Sequence, residues 1–342
     1  MTGDTMAAAV FEGPGVLSVL ERPSARVERP DDVLIAVRAS GICGTDLQIL
    51  SVPPGHPAPH GVVLGHEFTG EVIEVGEQVQ GLGPGDHVVV APNVSCGQCP
   101  PCRRGLRNHC ESYTTYGIHV DGGLAPLVRV QAAACHPISA RVPWHVAALA
   151  EPLSTVVHGA RGAQPFPGET AVVIGGGPIG LLFTALFGLA GCQVVVVEPT
   201  PGRAALAEAM GATRVVGPGA EAVATARELS GGMGADLVVD AVGSQLGPAV
   251  ELVRKAGRIV LFGVNERART DLAQIDVTRN ELTIMGTFVG QDVFPAAIGL
   301  LEAGGVDWEQ MVTHRIGLPE LPDAVDELRA GRAVKVEVEF PE

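Results

Sequence analysis

The strongest constraint on the fold is a six-residue run, Gly175-Gly176-Gly177-Pro178-Ile179-Gly180, which fits the pattern G-x-G-x-x-G. In a chain with 45 glycines the pattern alone means little. Its setting is what constrains. The run follows a β-branched stretch, Thr170 to Ile174, that reads as a strand, and it opens an apolar stretch, Pro178 to Ala190, that reads as a helix. A second strand, Gln193 to Glu198, comes next. In such a unit the free N–H groups of the helix meet the turn and can receive a phosphate. Gly175 permits the tight turn. Gly177 lets the backbone approach a pyrophosphate, with Pro178 and Ile179 in the same turn, and Gly180 lets helix and strand pack closely. The plainer reading is a glycine-rich turn with no ligand. The strand–helix–strand setting favours a dinucleotide.

Glu198 falls where an acid accepts hydrogen bonds from the adenosine ribose hydroxyls. A carboxylate there repels a 2′-phosphate, which favours NAD over NADP. Arg203 is the opposing signal, because an arginine nearby can accommodate that phosphate.

The alternation continues beyond Glu198. Gly202 to Met210 reads as a helix, Asp236 to Val242 as a strand, Pro248 to Lys255 as a helix and Arg258 to Val264 as a strand. Alternating strands and helices imply a parallel, doubly wound sheet. Val194 to Val197 is apolar at every position, as expected when helices cover both faces. Residues 1–150 are different: β-branched runs at Val33 to Val37, Gly70 to Val75 and His87 to Val90 are broken by turn clusters such as Gly81-Leu82-Gly83-Pro84-Gly85-Asp86. That part reads as a β-rich body. In the tail, Phe294 to Ala303 reads as a helix and Lys335 to Phe340 alternates like a strand.

At 342 residues, 46% hydrophobic and 18% charged, the chain is expected to be globular with two domains. Its net charge of −15 opposes binding to nucleic acid. No signal peptide is read in Met1 to Val10 and no window approaches 18 uninterrupted apolar residues, so a cytoplasmic protein without a membrane partner is expected. In that setting seven cysteines read as metal chemistry rather than disulfides.

Cys96, Cys99, Cys102 and Cys110 give C-x2-C-x2-C-x7-C. Four thiolates so close can close a tetrahedron around Zn²⁺ with no open position, which makes the site structural. The spacing is also compatible with iron–sulfur ligation, but no second cysteine cluster supports it. A dispersed set remains. Cys43-Gly44-Thr45-Asp46 reads as a turn after a strand, Gly65-His66-Glu67 precedes a strand, and Glu151-Pro152 lies where the β-rich part meets the alternating part. A thiolate, an imidazole and one or two carboxylates would make a zinc site with room for water or substrate. Each also has a bland reading: Cys43 as a small buried hydrophobe, His66 and Glu67 as an exposed polar pair, Glu151 as the start of a helix.

Taken in order, these motifs and the glycine loop resemble the zinc-containing medium-chain dehydrogenase/reductase family over essentially the whole chain. The branch it is most similar to is that of the polyol, butanediol and threonine dehydrogenases, because Glu151 stands where other alcohol dehydrogenases carry a cysteine. The resemblance implies a GroES-like β-rich catalytic domain, residues 1–150 and 287–342, around a Rossmann NAD-binding domain, residues 151–286. It implies two zincs per chain, with Cys43 and His66 on the catalytic one and Glu67 and Glu151 binding it directly or holding its water. Thr45 would relay the substrate's proton, with Asp46 supporting the ligands. It also implies a secondary alcohol or polyol as substrate, hydride transfer to the nicotinamide, and a homotetramer or homodimer, for which the β-rich segment Glu281 to Phe288 offers an edge.

The chain departs from its relatives in two places. Where many carry a relay histidine it has Leu47-Gln48-Ile49, which leaves water, His56 or His60 as the exit. Where sorbitol dehydrogenases carry an arginine it has Gly286-Thr287-Phe288-Val289-Gly290. His119 reads equally as a pocket residue or as a turn histidine. Three alternatives stay open: oxidation of an amino alcohol such as L-threonine, a zinc-independent quinone-oxidoreductase-like reductase, and a zinc-finger-like binding protein using the basic Arg103, Arg104 and Arg107. The last is opposed by the net charge and the cofactor loop.

Overall fold

The run Thr170–Ile174 is the central strand of a six-stranded parallel sheet in the computed structural model, which describes residues 4–341. Met1 to Gly3 and Glu342, which the expected domain ranges and the signal-peptide reading include, lie outside the described residues. Across the sheet the order is Arg214–Val216, Gln193–Val197, Thr170–Ile174, Ala235–Asp240, Val253–Leu261, Thr283–Gly286. The chain runs outward on one side, then returns to the centre and runs outward on the other. The strand order therefore reverses between Thr170–Ile174 and Ala235–Asp240. Open parallel sheets bind ligands at the carboxyl ends of the strands flanking such a reversal. All five residues of Thr170–Ile174 are buried, because helices cover both faces of the sheet.

Local chemistry moves several element ends away from the sequence reading. The strand expected over Asp236 to Val242 ends at Asp240, whose carboxylate accepts the N–H groups of Val242, Gly243 and Gln245 and turns the chain. The helix expected over Pro248 to Lys255 is instead Leu246–Leu252. Val253 pairs with Ala235, a bulge follows in which Ala256 takes φ 56°, and pairing resumes at Arg258 opposite Leu237. Sheet pairing of a β-branched residue outweighs helix periodicity there. The strand Arg214–Val216 and the helix Ala220–Leu229 were not singled out from sequence. Thr283–Gly286 is an end strand of the sheet.

Besides two small two-stranded sheets, Thr5–Gly13 with Val16–Pro23 and Asn93–Val94 with Thr114–Thr115, there is a sheet of seven strands. Its main path runs His314–Ile316, Val336–Glu339, Asp32–Gly41, Glu67–Val75, His87–Val90, Cys135–Pro137, and Leu127–Gln131 also pairs with Asp32–Gly41. Its pairings are antiparallel except between His314–Ile316 and Val336–Glu339. The chain divides into two compact units: Met1–Ser154 with Gln291–Gly304 and Val312–Glu342, and Thr155–Gly290 with Gly305–Met311. The expected ranges put 287–342 with the β-rich part and 151–154 with the Rossmann part, whereas 287–290 and 305–311 fall in the second unit and 151–154 in the first. Trp308 and Met311 are buried, and their short 3-10 helix packs on the helix Pro201–Ala209 of the second unit. Among the described residues no helix is long and apolar enough to cross a membrane.

Candidate active site

Within the β-rich unit, three motifs far apart in sequence converge. Asp32–Gly41 ends just before Cys43, which caps the short helix Gly44–Ile49. Glu67–Val75 begins at Glu67, opposite Gly41 in the register, so His66 and Cys43 arrive at the same end of the sheet. Gly65 makes this possible: it takes φ 93°, and a Cβ there would come within 2.8 Å of the Leu124 backbone nitrogen. One donor atom each from Cys43, His66 and Glu67 lie within 4.8 Å of one another.

Asp46 ties the set together. One oxygen accepts the Cys43 N–H at 2.8 Å, and the other stands 3.6 Å from His66 Nδ1. That leaves the opposite ring nitrogen for a metal. Burial disfavours charge on His66, but the carboxylate of Asp46 and the thiolate of Cys43 outweigh it and raise the imidazole pKa well above its ordinary value. Burial also pushes the Cys43 thiol up, but the charge and hydrogen bond of His66, with the charge of Lys335, together make the net shift downward. Binding a divalent cation here requires that Cys43 and His66 give up their protons.

Glu67 has a partner that the sequence reading missed. Lys335 forms a salt bridge with it, and both side chains are only 2% exposed. Glu337 is buried beside them, 3.9 Å from the Lys335 ammonium. The alternation in Lys335 to Phe340 correctly marks a strand, Val336–Glu339, but by itself would place Lys335 and Glu337 on a wet face. Here both faces are covered, so Val336 and Val338 are buried as well.

Glu151 lies in the first turn of the helix Ala150–Ala163 and is buried, but it stands outside the three-residue ligand group. Burial raises its pKa to about 7, with His66 pulling it back and Asp46 adding to the rise. A carboxyl group so poised can exchange a proton near neutral pH. Tyr113, whose pKa burial raises with the Glu151 charge adding to the rise, was not identified from sequence. Thr45 is half-buried, with its hydroxyl 3.8 Å from Cys43 Sγ. His119 accepts the Thr115 N–H through Nδ1 at 3.1 Å and so closes its own turn. Its ring stands edge-on to that of His56, with centroids 6.5 Å apart.

Cys96, Cys99, Cys102 and Cys110 also lie within 4.8 Å of one another, and none forms a disulfide. Backbone N–H groups point at the sulfurs: those of Gln98 and Cys99 at Cys96, those of Cys96 and Ser112 at Cys110. Gln98 and Cys99 thereby hold the Cys96 thiol down to about 6, while burial pushes Cys102 up to about 12.

In the second unit the glycine loop joins the central strand to the helix Pro178–Leu189. Gly175 takes φ 103°, and a Cβ on Gly180 would lie 1.8 Å from the Gly175 carbonyl oxygen. At Gly177 a Cβ would meet nothing within 4 Å, so the space in front of the helix is open. Glu198 is buried, and its two carboxylate oxygens accept the N–H groups of Gly176 and Thr200 at 2.8 Å each. It thus braces the loop as well as standing beside it. Arg203 lies in the next helix, Pro201–Ala209.

Comparison with known proteins agrees with this architecture. Residues 29–140 match the alcohol dehydrogenase GroES-like domain, and residues 178–303 match the zinc-binding dehydrogenase domain. D-altritol 5-dehydrogenase of Agrobacterium fabrum is 36% identical, over 92% of this chain and 94% of that protein. The chain belongs to the zinc-containing medium-chain dehydrogenase/reductase family. D-arabinitol dehydrogenase 1 of Uromyces fabae is 30% identical over 97% of each chain. The crystal structure of a zinc-binding dehydrogenase from Sinorhizobium meliloti bound to NADP superposes with a TM-score of 0.93 at 33% identity, covering 99% of this chain and 100% of that one. Membership makes this chain a GroES-like domain with a Rossmann domain and an oxidoreductase using a nicotinamide cofactor. It also sets aside the zinc-finger reading of the cysteine lobe. The two ligand sets fit the family's metal: four sulfurs with no other protein ligand, and a sulfur, an imidazole nitrogen and a carboxylate oxygen with a position left over.

Proposed function

We propose that the protein is a zinc-dependent, NAD-linked dehydrogenase that oxidises a secondary hydroxyl of a linear polyol. The observation that carries this is the convergence of Cys43, His66 and Glu67 around one point, with Glu151 buried close by. Two relatives named for acyclic polyols, altritol and arabinitol, support the substrate class. Cys43, His66 and Glu67 would hold the catalytic zinc, and Cys96, Cys99, Cys102 and Cys110 the structural one. Bound there, zinc supplies Lewis-acid polarisation of the substrate's hydroxyl oxygen.

The remaining work falls to the chain's own residues. Thr45 receives the hydroxyl proton and passes it on. Glu151, held near pKa 7, accepts or returns a proton on the buried side. Asp46 fixes the His66 ring and the Cys43 backbone. The loop over Gly175, Gly177, Pro178, Ile179 and Gly180 seats the cofactor's pyrophosphate, and Glu198 orients its adenosine ribose. Glu198 favours NAD, because a 2′-phosphate would meet a buried carboxylate; Arg203 is the residue that would soften that exclusion. The end strand Thr283–Gly286 suits pairing between copies in a homodimer or homotetramer.

The test is zinc content per chain, measured together with nicotinamide reduction on a panel of pentitols, hexitols, diols and L-threonine. Two zincs with turnover of a polyol, faster with NAD than with NADP, is the expected result. Turnover of L-threonine alone would replace the substrate class, and turnover in zinc-free protein would remove the metal chemistry.

A further inference from the structure

Three adjacent strands place Glu67, Gly41 and Glu337 on one rung: Glu67 is opposite Gly41, and Gly41 is opposite Glu337. The residue between the two carboxylates has no side chain, and the Lys335 ammonium fills that space. A Cβ on Gly41 would lie 2.4 Å from Glu67 Oε2, 2.6 Å from Lys335 Nζ and 3.0 Å from Glu337 Oε1. One buried ammonium therefore stands between two buried carboxylates. It is bonded to Glu67, while the Glu337 oxygens find no hydrogen-bond partner among the described residues.

An ionisable group so enclosed is costly unless something pairs with it in a state the protein visits. The metal-loaded state provides one. Once Glu67 gives its charge to a cation, Lys335 keeps only the Ile42 carbonyl oxygen, 3.5 Å away, and would be a buried cation with no counter-charge, unless another carboxylate is within reach. We propose that Glu337 is a positioning residue that takes over the Lys335 ammonium when Glu67 turns to the catalytic metal. The handover needs only a short swing, since Lys335 Nζ already lies 3.9 Å from Glu337. Gly41 keeps the path open. Burial lifts the Glu337 pKa to about 8 against the pull of Lys335, with Glu339 adding to the rise, which fits a carboxyl that lacks its full partner in the arrangement seen. The inference rests on the reading that Cys43, His66 and Glu67 hold the metal.

The test is cobalt(II) titration of the full-length metal-free chain, read by the visible bands that report coordination. Glu337→Gln keeps the shape and removes the charge. It should weaken cobalt binding at the Cys43 site at least about tenfold and move its bands toward those of Glu67→Gln, while the four-cysteine lobe fills normally. In a Lys335→Met background the same substitution should have no effect, because Glu337 acts only through Lys335. That comparison also serves if Glu337→Gln alone fails to fold. Unchanged affinity and bands in Glu337→Gln, or a further loss in the Lys335→Met background, overturns the proposal. A parent chain without cobalt bands that vanish in Cys43→Ser overturns the metal-site reading itself.

Discussion

Asp46 binds the Cys43 N–H with one carboxylate oxygen and faces His66 Nδ1 with the other, so one side chain fixes two candidate ligands that lie 23 positions apart in sequence. Groups behind a metal ligand set its orientation and basicity. Asp46→Asn keeps the shape but removes the charge that favours a correctly oriented ring. Zinc affinity at this site should fall about 10- to 100-fold, as measured by competition with a chelator. Retention equal to the parent would mean that Asp46 only shapes the turn.

Cys99→Ser should act on stability before it acts on chemistry. The lobe from Cys96 to Cys110 contains only four-residue and three-residue helices and has little core of its own. Opening one ligand position removes the metal's contribution to its folding. The variant should melt at lower temperature and lose zinc to chelator sooner, and a melting curve identical to the parent's would argue against a structural metal.

Gly180→Ala should damage cofactor binding through sterics alone. The new methyl would lie 1.8 Å from the Gly175 carbonyl, so helix and loop must separate. Overpacking of this kind costs about 1–3 kcal/mol. Quenching or enhancement of bound NADH fluorescence should show at least about tenfold weaker binding, and unchanged binding would show that the loop has slack.

Glu198→Ala tests both of that residue's contacts. It removes the acceptor for the Gly176 and Thr200 N–H groups along with the charge that opposes a 2′-phosphate. The NAD dissociation constant should rise, and the ratio of NAD to NADP affinity should fall by about tenfold or more. A ratio that does not move would place cofactor discrimination elsewhere, with Arg203 the next residue to substitute.

Glu337 should leave a signature in the pH dependence of stability of the metal-free protein. Burial is the main reason its folded pKa reaches about 8, against about 4.3 in the unfolded chain. Between those values the folded state holds a proton that the unfolded state has lost, so this group's contribution falls as pH rises. Glu337→Gln escapes that loss. Its stability relative to the parent should grow from pH 5 to 8 by up to about 1.4 kcal/mol per pH unit, read by urea denaturation. Parallel pH profiles would show that Glu337 is ionised throughout.

Much of the chemistry was legible along the chain because it is local. The glycine loop, the four cysteines and the Cys43–Asp46 turn each occupy a few consecutive residues whose spacing carries their meaning. The strand Thr170–Ile174 and the helix Phe294–Ala303 were readable to the residue, because continuous burial or a Pro near the start leaves little choice. The end of Ala235–Asp240 was not, since it depends on three N–H groups finding one carboxylate.

By itself, then, the sequence determined the doubly wound sheet, the glycine loop and the closely spaced four-cysteine cluster, since periodicity and short-range spacing are properties of the chain. Only the tertiary structure decided which dispersed groups meet. Register brought Glu67, Gly41 and Glu337 onto one rung, and the covering of both sheet faces turned an ordinary alternating Lys-Val-Glu stretch into a buried charge cluster. Long-range pairing and burial depend on what the rest of the chain places alongside, and no local pattern encodes that.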